Sequence, residues 1–230
     1  MKTHTHTEQE LQLLKGEVNA MWQLVLSQLE KARQAFVNRD QELAHEVLSR
    51  EKRVDVYELK IESDCENYIA LYSPVAVDLR LILSLMKICN TLERIGDFAS
   101  GIARYVVEED CVALPNQLLE ELRLDRMFAT VQEMLSDSYV ALETENTKLS
   151  GRILSQDDTM NQLYHAAPIL LAQHLTQYPT DAYCALKLFL LIRKLERIGD
   201  HCSNIVEEIV FYVDAKILKH RKVQKELEER

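Results

Sequence analysis

The hexapeptide LERIGD occurs twice in this chain, at residues 92–97 and again at 195–200. Two identical hexapeptides, 103 residues apart in a chain of 230, indicate an internal duplication. Each half is therefore expected to fold as the same unit, with the same two carboxylates, arginine and glycine at matching points.

Helical periodicity runs through both halves. Five Gly and four Pro are too few for many strands joined by tight turns. Residues 8–37 instead carry apolar side chains at spacings of three and four, typical of an amphipathic helix: Leu11, Leu14, Val18, Met21, Val25, Leu29, Ala32 and Phe36. The sequence predicts an all-α fold with six long helices, which end near residues 37, 72, 109, 145 and 177 and in the C-terminal tail.

The match between the halves extends beyond the hexapeptide. Asp78 lies 15 residues before Glu93, and Asp181 lies 15 residues before Glu196. The segment EKRVD at 51–55 corresponds to DDTMN at 157–161 if the second connection is three residues shorter. We therefore predict two tandem antiparallel three-helix bundles, with domains at 1–112 and 113–230.

Composition indicates which classes of partner the chain can bind and in which cellular compartment it is found. A net charge of −10 and a pI near 5.2 argue against nucleic acid or an anionic membrane as a general partner. The N-terminus is polar, and the longest apolar runs are far too short for a membrane span. Five cysteines without a CxxC motif suggest free thiols in a reducing compartment. These features predict a soluble, cytoplasmic protein.

The charged residues of LERIGD form pairs on a helix, because residues i and i+4 share a face. Glu93 and Asp97 are one pair, and Glu196 and Asp200 are the other. The second helix adds an acidic face at Glu51, Asp55, Glu58 and Glu62. Clustered carboxylates repel one another unless a cation or an arginine compensates, so this pattern predicts a bound metal ion or raised pKa values.

The motif also fits roles that need no metal. Arg94 and Arg197 could neutralise the carboxylates through interhelical salt bridges, which would make LERIGD a packing motif.

Other residues give little support to a metal centre or an enzyme. His201 could be a metal ligand, but a solvated helix residue is the slightly better interpretation. Carboxylate-bridged di-iron bundles require paired E-x-x-H motifs, and only Glu42 and His45 fit that spacing. There is no nucleophile elbow or P-loop, so we predict that the chain is not an enzyme.

The motifs resemble those of the PhoU family, the bacterial regulators of phosphate uptake. The similarity rests on the doubled ERIGD, on PVAVDLR before the first copy and on HCSNI after the second, and covers about residues 8–215. It implies a cytoplasmic, usually homodimeric, non-enzymatic protein. It also implies negative regulation of the phosphate-starvation response, by contact with the ATPase of the phosphate ABC transporter and with a sensor histidine kinase.

The resemblance further implies multinuclear iron or zinc clusters on the two bundles. Carried over by position, the first would use Glu51, Asp55, Glu93 and Asp97, and the second would use Asp157, Glu196, Asp200 and Asn204. In the second half, Asn161 and Tyr164 occupy the positions that Asp55 and Glu58 occupy in the first. Gly101 of the first half occupies the position that corresponds to Asn204 of the second. The first site is therefore expected to bind metal before the second. The alternatives are a metal-storage protein or metalloenzyme of the helical carboxylate type, and a purely structural interaction module.

Overall fold

The computed structural model describes residues 6–108, 114–216 and 218. Short 3-10 turns at Thr147–Leu149 and Pro179–Asp181 lead into two of the helices. Within the described residues the α-helices are α1 His6–Asn38, α2 Gln41–Tyr72, α3 Ala76–Val107, α4 Asn116–Glu121, α5 Leu124–Glu143, α6 Ser150–Gln177 and α7 Ala182–Asp214.

The connection between α1 and α2 is tight and capped. Arg39 adopts a left-handed conformation with φ of 53°. The Asp40 carboxylate then accepts a hydrogen bond of 2.9 Å from the Leu43 amide. This bond satisfies one of the free amide groups at the start of a helix, so Asp40 is the N-cap of α2.

The fourth predicted helix is divided into α4 and α5. Arg123 lies between them in a left-handed conformation with φ of 56°. Leu122 and Leu124 are both buried, whereas in a continuous helix residues two apart point in widely different directions. The break at Arg123 lets both leucines face the core. The sixth predicted helix likewise begins after the Pro179–Asp181 turn, at Ala182.

The long helices form two three-helix bundles, α1–α2–α3 and α5–α6–α7, as the sequence predicts. The bundles are joined where α3 packs against α7 and α1 packs against α5. The predicted domain boundary at 112/113 falls within 109–113, outside the described residues. In the described part of the chain, no helix combines the length and the apolar character that crossing a bilayer requires.

The two bundles share one hydrophobic core. Trp22 of α1 is fully buried and donates a 3.3 Å hydrogen bond from Nε1 to the carbonyl oxygen of Leu135 in α5. Its ring also contacts Tyr139 of α5, with 5.7 Å between the ring centroids. Trp22 therefore connects the first bundle to the second through both apolar and polar contacts.

Helices α3 and α7 run antiparallel across the seam between the bundles. Ser84 near the start of α3 donates to the Glu208 carbonyl near the end of α7 at 3.2 Å. At the middle, the rings of Phe98 and His201 are 5.6 Å apart. These two residues each follow directly after LERIGD. The seam therefore has pseudo-two-fold symmetry, and it places the two hexapeptides side by side at the centre of the molecule.

Candidate functional site

The glycines of the hexapeptides lie where helices approach closely. A Cβ atom on Gly96 of α3 would lie 3.4 Å from Val54 Cγ1 of α2. A Cβ atom on Gly199 of α7 would lie 3.5 Å from Met160 Cγ of α6, and 3.2 Å from Asp157 Oδ1. Val54 and Met160 occupy corresponding places in the two bundles, in agreement with the predicted match of 51–55 to 157–161. The glycines thus bring the acidic residues of α2 and α6 close to those of α3 and α7.

In the first bundle, three carboxylates of α2 and α3 influence one another. Glu93 has its pKa raised from 4.5 to about 7, mainly by burial and then by the negative charges of Asp97 and Glu58. Arg94 opposes this shift, at 3.6 Å between its Nε and Glu93 Oε2. The pKa of Glu93 remains raised despite Arg94. The protein therefore supplies too little positive charge to stabilise the ionised Glu93 carboxylate fully.

The other two predicted ligands of the first site lie beside this group on α2. Glu51 forms an ion pair of 3.0 Å with Arg104, and lines a cleft together with Asp97. Asp55 is half-buried, one helical turn further along α2. Glu93 is therefore in electrostatic contact with both Asp97 and Glu58, while Glu51 pairs with Arg104.

In the second bundle, Asp157, Glu196 and Asp200 form a corresponding group. The pKa of Asp157 is raised to about 6, mainly by burial and then by the charges of Asp200, Asp158 and Glu196. Burial and the charge of Asp200 also raise the pKa of Glu196. Asp157 Oδ1 is buried and forms no hydrogen bond of ordinary geometry with the described residues, although the nearby Ser203 hydroxyl offsets part of the rise in the Asp157 pKa. A buried carboxylate oxygen in this state is suited to a cation.

Asn204, the fourth predicted ligand of the second site, has different surroundings from these carboxylates. It is exposed and lines a cleft on the seam with Glu62, Lys87 and His201. The structure therefore brings three of the four predicted ligands of this site into electrostatic contact, and places Asn204 in a neighbouring cleft.

The arginines of the hexapeptides do not bridge helices in the described contacts. Arg94 pairs with Glu93, and Arg197 pairs with Asp200 at 3.0 Å, each within its own helix. Among the described residues, no three His, Cys, Asp or Glu side chains are arranged to enclose a metal ion. The buried Asp157 oxygen and the raised pKa values fit a cation, and side-chain rotations are needed to complete its coordination.

His201 differs from the solvated residue that the sequence favours. Its ring is half-buried against Phe98. Its pKa is lowered, mainly by burial and then by the positive charge of Arg197. The sequence does contain a signal for this contact, because a duplicated bundle with two-fold symmetry brings equivalent positions together on its axis. The pattern of acidic residues did not indicate a role for Asp158, whose negative charge helps to raise the pKa of Asp157.

The raised pKa of Glu93 predicts how stability depends on pH in metal-free protein. Between pH 4.5 and 7 the folded state retains a proton that the unfolded chain has released. The free energy of unfolding therefore falls as the pH rises through this window. Glu93→Gln should flatten this dependence and stabilise the protein at pH 8 by about 1 kcal/mol, allowing for solvent screening.

Urea denaturation at pH 5 and pH 8, with a chelator present, measures this difference. Glu120→Gln provides a control, because Glu120 is exposed on α4, away from the carboxylate groups. If the stability of Glu93→Gln depended on pH as strongly as that of the wild type, the raised pKa of Glu93 would not be the cause of this dependence.

Comparison with known proteins accounts for this arrangement of two similar units. The family model of the PhoU domain matches the chain twice, at residues 18–106 and 124–209. The chain belongs to the PhoU family. The first PhoU domain covers most of α1 to α3, and the second covers most of α5 to α7. Helix α4 lies between the two matches.

Curated PhoU relatives resemble the chain over nearly its whole length. The phosphate-specific transport system accessory protein PhoU homolog 1 of Thermotoga maritima is 31% identical, over 95% of this chain and 94% of its own. The homolog of Aquifex aeolicus is 33% identical, over 94% and 96% respectively. The Escherichia coli accessory protein PhoU is 32% identical, over 92% and 86%.

Solved PhoU structures share the fold. PhoU from Pseudomonas aeruginosa has a TM-score of 0.82 at 30% identity, with 91% of this chain and 99% of that chain covered. The phosphate transport system regulatory protein PhoU from Streptococcus pneumoniae has a TM-score of 0.80 at 28% identity, with 93% and 100% covered. The two-bundle architecture is therefore shared with a protein named as a regulator.

Proposed function

We propose that this protein is a non-enzymatic regulatory accessory protein of phosphate transport whose acidic surface is tuned by bound cations. The observation that carries the proposal is the pair of carboxylate groups at equivalent places in the two PhoU domains, each with a raised pKa. Its relatives are named as accessory or regulatory proteins of phosphate-specific transport. A surface whose charge changes when a cation binds gives a docking protein one means of regulating its contacts.

The proposed partners are the ATPase of the phosphate ABC transporter and the sensor histidine kinase of the phosphate-starvation response. We place the protein in the cytoplasm as a homodimer that represses that response when phosphate is plentiful. Complementary charge controls how fast and how selectively proteins associate. An acidic face that gains or loses a cation would therefore change its affinity for a partner.

The cation would be held by residues on two helices of each bundle. In the first bundle Glu93 and Asp97 would bind it, with Glu51 and Asp55 from α2. In the second, Asp157, Glu196 and Asp200 would do so, with Asn204 nearby. Iron and zinc are the proposed metals, and the bound ion would supply positive charge that the arginines do not provide.

The double substitution Glu93→Ala plus Asp97→Ala tests both parts of the proposal. Deleting the gene is expected to activate phosphate-starvation genes in high phosphate, and the wild-type gene should restore repression. The variant should fail to restore repression, and when purified without a histidine tag it should contain less iron or zinc by elemental analysis. Glu120→Ala plus Glu121→Ala is a control that removes two carboxylates elsewhere, since both residues are exposed on α4.

The repression assay and the metal analysis test separate parts of the proposal, so either can fail without the other. Normal repression in the deletion strain would remove the regulatory function. Equal metal content in wild type and variant, or no metal in either, would remove the role of the cation. Circular dichroism should show the same helical content in all the purified proteins.

A further inference from the structure

Two polar side chains are buried in the core of the first bundle, where the proposed function does not use them. Gln28 of α1 is fully buried, and neither its amide oxygen nor its amide nitrogen has a hydrogen-bond partner among residues 6–108 and 114–216. The hydroxyl of Ser100 in α3 is in the same state. Buried polar groups in native proteins almost always have partners, so such exceptions require an explanation. An unpaired buried amide costs free energy that an apolar side chain of the same size would not.

The amide of Gln28 lies against the first hexapeptide. Its Oε1 is 3.4 Å from the position that a Cβ atom on Gly96 would occupy. Residues three, four and seven apart share a helix face, so Glu93, Gly96 and Ser100 lie along one face of α3. The amide oxygen therefore approaches the face of α3 that carries Glu93, the carboxyl group with the raised pKa.

The second bundle has a buried oxygen at the corresponding place. Asp157 Oδ1 of α6 is 3.2 Å from the Cβ position of Gly199, and in the described part of the chain it makes no hydrogen bond of ordinary geometry. The hydroxyl of Ser203, the counterpart of Ser100, helps to lower the pKa of Asp157. A buried oxygen therefore lies beside the glycine of each hexapeptide, but it is supplied by α1 in the first bundle and by α6 in the second.

The residue that corresponds to Gln28 in the second bundle is apolar. The pattern V-x-x-Q-L at 25–29 matches V-x-x-M-L at 131–135, so Met134 is the counterpart of Gln28. Met134 is fully buried, as Gln28 is. The fold therefore accepts an apolar side chain at this point of the core, and the amide of Gln28 is a feature of the first bundle alone.

The acidic residue of the inner position also differs between the bundles. Glu51 is the counterpart of Asp157, and its carboxylate pairs with the exposed Arg104 at 3.0 Å. The bundle in which Asp157 supplies the inner oxygen has a methionine in place of the glutamine. The bundle in which Glu51 pairs with an arginine has the buried glutamine. The two differences complement each other, because each bundle keeps one oxygen at the inner position.

We propose that Gln28 is an inner ligand of the cation site of the first bundle, where its amide oxygen takes the place that Asp157 Oδ1 holds in the second. Amide oxygens coordinate cations alongside carboxylates. An ion held by Glu93 and Asp97 gives the buried oxygen a partner. The amide in turn adds a ligand without adding to the repulsion between the carboxylates. This inference rests on the cation site proposed above, and it adds a third helix, α1, to that site.

The metal content of the full chain tests this inference, in a background in which Glu196→Ala plus Asp200→Ala removes the second site. Gln28→Met installs the residue of the second bundle. In this background it should remove most of the iron and zinc that elemental analysis detects. Gln28→Glu keeps a side-chain oxygen and should retain the metal. Gln23→Met makes the same change as Gln28→Met at an exposed residue of α1 and should also retain it.

Urea denaturation distinguishes a ligand from a residue that only supports the fold. With a chelator present, Gln28→Met should raise the urea midpoint, because it removes the unpaired amide. Without the chelator, bound metal should raise the midpoint less in Gln28→Met than in the background protein. An amide that only binds a buried water would change the midpoint equally with and without the chelator, which would overturn the inference. A lower midpoint of Gln28→Met in the chelator would overturn it too, because the amide would then be paired within the protein.

The outcomes separate this inference from the regulatory function. Equal metal content in the background protein and in its Gln28→Met variant overturns the role of Gln28 and leaves the regulatory function intact. A background protein without metal also overturns it, since the first site would then hold no ion. The repression assay described above tests the regulatory function without reference to Gln28. Circular dichroism verifies folding, and Gln28→Leu serves as the apolar variant if Gln28→Met misfolds.

Discussion

Replacement of Trp22 by alanine is expected to lower the free energy of unfolding by about 3–5 kcal/mol. The indole is fully buried, and it joins the bundles through the Leu135 carbonyl and the ring of Tyr139. Its removal leaves a cavity at the interface of α1 and α5 and deletes the hydrogen bond to the Leu135 carbonyl. Trp22 is the only tryptophan, so its replacement removes the tryptophan fluorescence that would otherwise report unfolding. Urea denaturation should therefore be followed by circular dichroism.

Trp22→Phe separates the two contributions of this side chain. Phenylalanine retains an aromatic ring beside Tyr139 but cannot donate a hydrogen bond to Leu135. Its destabilisation should be clearly smaller than that of the alanine variant. A loss below about 1 kcal/mol for Trp22→Ala would contradict the placement of the indole in a shared core.

Gly96→Leu is expected to lower the free energy of unfolding by about 2–3 kcal/mol, despite the better helix propensity of leucine. A Cβ atom alone reaches 3.4 Å from both Gln28 Oε1 and Val54 Cγ1. The remaining leucine atoms must displace α1 or α2, and overpacked cores lose stability in this range. Thermal and urea denaturation of the variant measure the effect.

Gly16→Leu is the matched control within α1. Its Cβ position has no atom within 4 Å, so the substitution should raise stability by up to about 1 kcal/mol through helix propensity. If both variants shifted stability in the same direction, the close helix approach at Gly96 would be wrong.

The helical core could be predicted closely from the sequence, because apolar periodicity reflects burial directly. In α3 and α7 the following apolar residues, which recur at spacings of three and four, are all buried: Leu81, Leu85, Ile88, Leu92, Ile95, Ala99, Ile102, Leu188, Leu191, Leu195, Ile198, Cys202 and Ile205. The cap at Asp40 was predictable for a similar reason, since its partner Leu43 is three residues away. Local spacing determines such contacts.

Contacts between the bundles could not be predicted in this way. The break at Arg123 depends on Leu122 and Leu124 both reaching the core, which periodicity within one helix does not reveal. The close approach of Lys194 to Gly101 joins residues of different bundles that carry no common sequence signal. For the candidate metal site, the sequence indicates carboxylates that the structure places in two groups. The ligand sets and the preference for the first site remain predictions.

The contact between Phe98 and His201 on the pseudo-two-fold axis sets a condition on how this chain can diverge. In a symmetric dimer of identical three-helix subunits, a residue on the axis would meet its own copy, so every substitution would alter both sides of the contact. In the fused chain the two positions are encoded separately. A pair of unlike rings, the neutral phenyl of Phe98 against the titratable imidazole of His201, is therefore accessible to the fused chain but not to a homodimer.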